Sequence, residues 1–319
     1  MIEMKEFYYP SNNGFNRIHS MEWVPEGEPK ALVQIIHGMV EFIDRYDEFA
    51  RYLADKGFYV VGEDHLGHGK SVGNPNEWGY FADKEACRKV NGNTSDVVLK
   101  DIYTLTEITK KKYPSLPYFV LGHSMGSFFA RKYASIYGDK INGVIISGTG
   151  NQPSSAIVAA KTIVSVQQLI FGERHRSKLI AKMTFGENNK RIENPQTKND
   201  WLTKDTEIVR KYNNNPANNF LFTLNANRGL LDIVEYVISV KHTAKTPKDL
   251  PMLFVSGEED PVGEYGEGVK RAFALYQAND MKNIQMRLWT GDRHEILNET
   301  DRADVYQYIY QWILENIKK

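Results

Sequence analysis

The stretch that decides the fold is Tyr118-Phe119-Val120-Leu121-Gly122-His123-Ser124-Met125-Gly126-Ser127, with a helical pattern from Phe128 to about Tyr137 behind it. An apolar run, a turn of the form Gly-x-Ser-x-Gly and a 3.6-residue periodicity read as strand, tight turn and helix. Such a turn forces its central residue into a strained backbone conformation. Glycines flank it because a Cβ there would meet the neighbouring strand or helix. The hydroxyl of Ser124 is thereby pushed out at the top of a sheet, at a helix N-terminus.

Working outward towards the N-terminus, Phe58-Tyr59-Val60-Val61 is a strand ending in the loop Asp64 to Ser71, and Ala31 to Ile36 is a buried strand running into His37-Gly38-Met39-Val40-Glu41. Tyr46, Phe49 and Leu53, with a stop at Gly57, mark an amphipathic helix. A longer helical pattern runs from about Ser95 to Lys112. The first segment, Glu6 to Val24, is broken by the turn cluster Pro10 to Gly14 and reads as an antiparallel hairpin at a sheet edge. On the C-terminal side, Val144 to Ile146 is a strand; alternation then stops from about Asn151 to Lys245. It resumes with strands at Pro251 to Val255 and Ile284 to Trp289, and closes with a helix led by Thr300. Strands alternating with helices at this spacing make a parallel sheet with right-handed crossovers, covered on both faces. The expected organisation is a core formed by residues 1–150 and 246–319, with residues 151–245 inserted between two strands as a cap.

Composition bounds the rest. The 319 residues are 41% hydrophobic and 25% charged, ordinary for a globular chain, and the formal net charge is +0, so nothing global points to nucleic acid. Cys87 is the sole cysteine, which excludes an intramolecular disulfide and leaves no cysteine-based metal site. The first residues carry acids where a signal peptide needs positive charge followed by an apolar core, and no apolar run anywhere reaches the roughly 18 residues of a membrane span. The expectation is a soluble, cytoplasmic protein.

A serine hydroxyl is a poor nucleophile near neutral pH and needs a base within hydrogen-bond reach, with a third group fixing the base's tautomer. On a parallel sheet those partners sit on loops after later strands. Asp260 lies just past the strand that ends near Ser256, and His294 lies just past the one that ends at Trp289. Glu258 and Glu259 compete for the acid role. Asp260 is preferred because Pro261 restricts it to an extended conformation suited to aiming a side chain from a loop. Acyl transfer also needs donors for an oxyanion, and the backbone amides of Met125 and Met39 are the candidates.

With these residues in view, His37-Gly38-x-x-Glu41, Asp64-His65-x-Gly67-His68-Gly69-x-Ser71, Gly122-His123-Ser124-Met125-Gly126 and His294-Glu295 together resemble the monoacylglycerol lipase and lysophospholipase branch of the α/β-hydrolases, relatives of the serine aminopeptidases. The resemblance runs from about Lys30 to the C-terminus. It implies an α/β-hydrolase fold with a mostly parallel eight-stranded sheet, a triad of Ser124, Asp260 and His294, oxyanion amides at Met39 and Met125, and a lid-like cap over an acyl tunnel. It makes the loop of His65 and His68 a support beside the elbow rather than a metal site. Two departures stand out: Val40 and Ser127 occupy positions where many members have Gly, and either adds bulk on the glycerol side.

The expected activity is therefore hydrolysis of a carboxylic ester in a single-chain lipid, a monoacylglycerol or lysophospholipid, with no metal or organic cofactor. The alternatives are an aminopeptidase, for which Glu193, Asp232 and Glu235 are available to hold a substrate amine, a short-chain carboxylesterase, and a hydrolase-fold protein that only binds a small apolar ligand. Between Asn151 and Lys245 there are 14 Lys or Arg against 8 Asp or Glu. This basic insert, with an apolar stripe of Ile157, Val164 and Ile170, suggests peripheral contact with anionic lipid. Asp292 reads as a solvated loop charge.

Overall fold

In the computed structural model, which describes residues 2–317, eight strands form one sheet: β1 (Glu3–Pro10), β2 (Arg17–Val24), β3 (Leu32–Ile36), β4 (Tyr59–Glu63), β5 (Tyr118–His123), β6 (Gly143–Ser147), β7 (Met252–Gly257) and β8 (Ile284–Trp289). Their spatial order is β1-β2-β4-β3-β5-β6-β7-β8. β1 and β2 are the expected hairpin, and β2 lies antiparallel to β4; every later pairing is parallel. This places β5 near the centre, with its carboxyl end between those of β3 and β6.

Helices cover both faces, and the two-residue period of the strands divides the apolar side chains between them. On one face α1 (Asp47–Asp55) and the terminal helix bury Phe49, Leu53, Ile309 and Trp312 against Phe119, Leu121 and Val255. On the other, helices spanning Thr94–Lys112, Met125–Tyr137 and Glu267–Gln277 bury Ile102, Phe129 and Tyr276 against Val120, Ile146 and Phe254. In chain order the helices are α2 (Lys84–Lys89), α3 (Thr94–Lys112), α4 (Met125–Tyr137), α5 (Ser154–Phe171), α6 (Lys178–Phe185), α7 (Thr206–Asn214), α8 (Leu224–Val237), α9 (Val240–Thr243), α10 (Glu267–Gln277) and α11 (Arg302–Ile317). The N-terminus of α3 is fixed by a capping box, Asn93 accepting from Asp96 N and the Asp96 carboxylate accepting from Asn93 N. α4 begins at Met125, three residues before the sequence pattern placed it.

Between β6 and β7 the described residues form only helices and irregular segments. The insert is not an independent globule: Ile157, Ala226, Ile233 and Val237 belong to the same apolar cluster as α3 and α4, and its separate cluster is just Val164, Ile180 and Leu224. Arg131 of α4, fully buried, donates to Gly150 O (2.9 Å), just ahead of the insert, and to Val237 O (2.8 Å) at the end of α8, tying both to the helix behind Ser124.

The expected apolar stripe needs correction. Ile157 and Val164 are buried, and it is Val158, Val166, Leu169, Ile170 and Phe171 that face outward, continued on α6 by Leu179 and Met183. Ile157 and Val164 are seven residues apart and share a face, whereas Ile170 lies about 220° round from Ile157 at 3.6 residues per turn. α5 also meets the length and mean hydropathy of a membrane span, since a mean over 18 residues tolerates the single charge of Lys161, and 11% of it is buried.

Candidate active site

Ser124 stands between β5 and α4 with φ 54° and ψ −121°. For a residue with a side chain this costs on the order of 1–3 kcal/mol, sustained only when the surroundings over-determine it. The flanking glycines supply that constraint. A Cβ on Gly122 would lie 2.2 Å from Gly126 O, and one on Gly126 would lie 2.0 Å from Ile36 O, so the turn seats α4 directly on the β3 strand end. Ser124 N donates to Ser147 O (2.9 Å), and Ser127 Oγ donates to Ser124 O (2.6 Å). Ser127 is thus a buried brace for the elbow, not a source of bulk in the pocket.

Asp260 and His294, from the loops after β7 and β8, meet with His294 Nδ1 donating to Asp260 Oδ1 at 2.9 Å. Asp260 is wholly buried and also accepts from Val262 N (2.9 Å) and Ser256 Oγ (3.0 Å). Burial opposes its ionisation, but the His294 charge and these donors outweigh it and hold the carboxyl below its ordinary range. Burial likewise opposes a charge on His294, yet Asp260 raises that imidazole above its ordinary value of 6.5. Because Nδ1 carries the proton toward Asp260, Nε2 is the nitrogen left to accept from a hydroxyl. Glu258 is half-buried and Glu259 exposed, and neither takes part in this pairing. His123 packs 4.7 Å from His294, ring to ring, and burial pushes it down to about 3, so it stays neutral beside that imidazole.

The loop after β3 passes close by: a Cβ on Gly38 would lie 3.1 Å from Ser124 Cβ. Gly38 N donates to Glu41, and Val40 sits at φ 58°, a conformation that β-branched residues seldom adopt. Its carbonyl accepts from Tyr212 Oη (3.1 Å) and Asn218 Nδ2 (2.9 Å), both in the insert. His65 supports the same strand end, its N donating to His37 Nε2 (2.9 Å) and its ring stacking on His37 at 3.9 Å. Met125 N belongs to the first turn of α4, where amides lack intrahelical acceptors.

Ser124, His294, Met39 and Met125 all line one cavity of about 770 Å³. Its walls are apolar where α4, α5 and α8 contribute Phe128, Ile157, Val164, Leu230 and Val234, and polar where the segment after α6 contributes Asn188, Asn189 and Asn199. The volume lies within the range of about 300–1,000 Å³ usual for small-molecule sites. Val40 lines it; Ser127 does not.

A strained serine and a carboxylate-bound histidine lining one cavity, at the carboxyl ends of parallel strands and under a helical insert, make an arrangement that known proteins share. Residues 27–301 match the family described as serine aminopeptidase, S33. This chain belongs to that family. The S33 chain is 30% identical to a highly thermostable carboxyl esterase from Bacillus coagulans, solved in complex with glycerol, which superposes with a TM-score of 0.89 over 99% of this chain and 100% of that one. A lipase solved in an open form gives 28% identity and a TM-score of 0.86, again over 99% and 100%. The monoacylglycerol lipase of Mycolicibacterium smegmatis is 24% identical over 296 residues, 92% of each chain. The fold is that of an α/β-hydrolase.

Carboxylates of the S33 chain that an aminopeptidase reading would need are already engaged. Asp232 and Glu235 both pair with Lys161, at 2.7 and 2.6 Å, and Glu193 is exposed; none lines the cavity. The acids that do line it, Glu41, Glu264 and Glu295, pair with Arg45 or Arg271. Sequence reasoning quoted Glu41 and Glu295 without giving them a role and missed Arg45, whose guanidinium donates to both Glu295 oxygens (2.7 and 2.6 Å) and to Glu41 Oε2 (2.6 Å). The four-residue spacing from Glu41 to Arg45 was a signal. Burial resists the Glu295 charge, but Arg45 holds that carboxyl down at about 2. Glu41 sits higher, raised by burial and by its acidic neighbour against the pull of Arg45. Asp292, read as a solvated charge, is buried and bonded to Lys204 Nζ at 2.7 Å, and burial raises it to about 6.

Proposed function

We propose that this S33 hydrolase is a serine esterase that removes the acyl chain of a monoacylglycerol or lysophospholipid, with residues 151–245 acting as a cap over the acyl site. One observation carries the reading: Ser124 and His294 open onto a large, mostly apolar cavity whose wall carboxylates are all paired. An acyl chain fits such walls, whereas a substrate ammonium group finds no free anion there. The likeness to a carboxyl esterase bound to glycerol and to a monoacylglycerol lipase supports the same class.

Ser124 Oγ attacks the ester carbonyl as His294 Nε2 takes its proton, and Asp260 stabilises the imidazolium. The amides of Met39 and Met125 meet the developing oxyanion. As the tetrahedral species collapses, the C–O bond to the alcohol breaks and His294 returns the proton to the departing oxygen. Water, deprotonated by His294, then cleaves the acyl-enzyme to a fatty acid and free Ser124. No step calls on a metal or cofactor.

The exposed face of α5 and α6, with Lys178 and Lys182 beside Leu179 and Met183, supports peripheral docking of a cytoplasmic enzyme on an anionic lipid surface. Arg174 and Arg176 contribute less, because Arg174 covers the Tyr80 ring at 4.0 Å and Arg176 donates to Leu221 O and Asn76 O. The test is a panel of monoacylglycerols, lysophospholipids, short esters and aminoacyl anilides. Turnover should favour the single-chain lipids and vanish in Ser124→Ala; turnover of anilides above esters would overturn the assignment.

A further inference from the structure

The loop that carries Met39 is pinned at both ends, and one of the two pins belongs to the insert. At its start, Gly38 N donates to the Glu41 carboxylate, which Arg45 and Tyr46 Oη also hold. At its end, the Val40 carbonyl takes both of its hydrogen bonds from far along the chain, Tyr212 Oη on α7 at 3.1 Å and Asn218 Nδ2 in the turn that follows at 2.9 Å. The Tyr212 ring in turn lies 4.8 Å from the Arg45 guanidinium. Between the pins Val40 holds φ 58°, where its branched side chain crowds the backbone. A loop forced into an unfavourable conformation and released from its restraint relaxes to negative φ, which re-aims the peptides on either side.

We propose that Tyr212 and Asn218 are positioning residues: by fixing the Val40 carbonyl they aim the Met39 amide at the oxyanion, so the loop is competent for acyl transfer only while α7 and the turn after it rest on the core. The inference rests on Met39 serving as an oxyanion donor. Acyl transfer is thereby tied to a seated cap, and an ester that reaches Ser124 beneath a displaced α7 is not cleaved.

The experiment uses Tyr212→Phe, which removes one oxygen, and the double variant Tyr212→Phe/Asn218→Leu, with p-nitrophenyl butyrate as a soluble substrate. Losing an oxyanion donor outright costs on the order of 10²–10³ in kcat. A misaimed donor should cost less: roughly threefold for the single variant and 10–100-fold for the double. KM should stay within about twofold, and the acid limb of the pH–rate profile should not move, because Asp260 and His294 are untouched. The diagnostic step repeats both variants in a Val40→Gly background. Glycine adopts positive φ without strain, so there the loss in kcat should shrink to a few-fold relative to Val40→Gly alone. An equal loss in both backgrounds, a change in KM alone or an unchanged kcat overturns the inference. Ser124→Ala in the same assay separates this from the parent reading: activity surviving there rejects the esterase assignment, whereas activity lost there but retained in the clamp variants rejects only the positioning role.

Discussion

Replacing Arg45 by Met should unmask the cost of burying two carboxylates together. The side chains of Glu41 and Glu295 are each 4% exposed, and three short hydrogen bonds from one guanidinium compensate them. Breaking such a pair by removing one partner costs about 3–5 kcal/mol. For a chain of this size that corresponds to roughly 6–10 °C in Tm, at about 2 °C per kcal/mol. The pH dependence carries the diagnosis. In the wild type Glu295 is held at about 2, so it contributes stability fully above about 4.5 that is lost as pH falls through 2. Without Arg45 both carboxyls titrate above their unfolded values, the folded state binds the extra protons, and stability falls as pH rises. Thermal unfolding followed by circular dichroism should therefore show a larger deficit at pH 8 than at pH 5.5, and Glu41→Gln/Glu295→Gln added to Arg45→Met should recover most of it. A deficit below about 1 kcal/mol at pH 8, or one equal at both pH values and not recovered by the glutamines, would refute the argument.

Ser124→Ala should lower ester turnover by about 10⁶ with the fold intact, and a fluorophosphonate should label the wild type at Ser124 alone, as peptide mapping would show. Asp260→Asn should cost about 10⁴ in kcat by favouring the wrong tautomer, whereas Glu258→Gln and Glu259→Gln should cost little; the opposite ranking would move the acid. Because Asp260 raises His294 and the base must be neutral to act, kcat/KM should fall on the acid side through a pKa above 6.5, a limb that a stopped assay from pH 5 to 9 would locate. Leu169, Ile170 and Phe171 are 88%, 65% and 58% exposed. Changing all three to Ser should weaken binding to anionic vesicles by about a thousandfold or more if all three insert fully, at about 1.5–3 kcal/mol for each fully buried side chain. Lys178→Glu/Lys182→Glu should weaken it further at low salt only; sedimentation with vesicles that matches the wild type in both variants would rule out docking through this face.

The sheet was legible because its strands are short apolar runs separated by helical periods, and the pairing of hairpin, crossover and insert follows from their order. The approximate places of Ser124, Asp260 and His294 were legible for a related reason: each lies just past an apolar run, where a parallel sheet gathers its loops. What the sequence hid depends on contacts that no local pattern encodes. Arg45 and Glu295 are 250 positions apart, and Val40 and Asn218 are 178 apart. The partner of the buried Asp292 is Lys204, 88 positions away in the insert. The phase of α5 was misjudged because a helix rich in apolar residues on all sides does not announce which side turns inward; packing on α8 decides it.

The way the insert is rooted has a consequence for engineering substrate range. Because Ile233 and Val237 of α8 are part of the main apolar cluster, and Arg131 bonds the Val237 carbonyl, exchanging residues 151–245 wholesale for another insert would excavate the core beneath α3 and α4. The segment from α5 to α7 lines much of the cavity and, apart from Ile157, lies outside that cluster. A chimera that keeps α7, α8 and Arg131 and replaces only the stretch between α5 and α7 is the graft that this architecture tolerates, provided that the incoming segment still bonds the loop after β8 as Trp201 O, Leu202 O and Lys204 do.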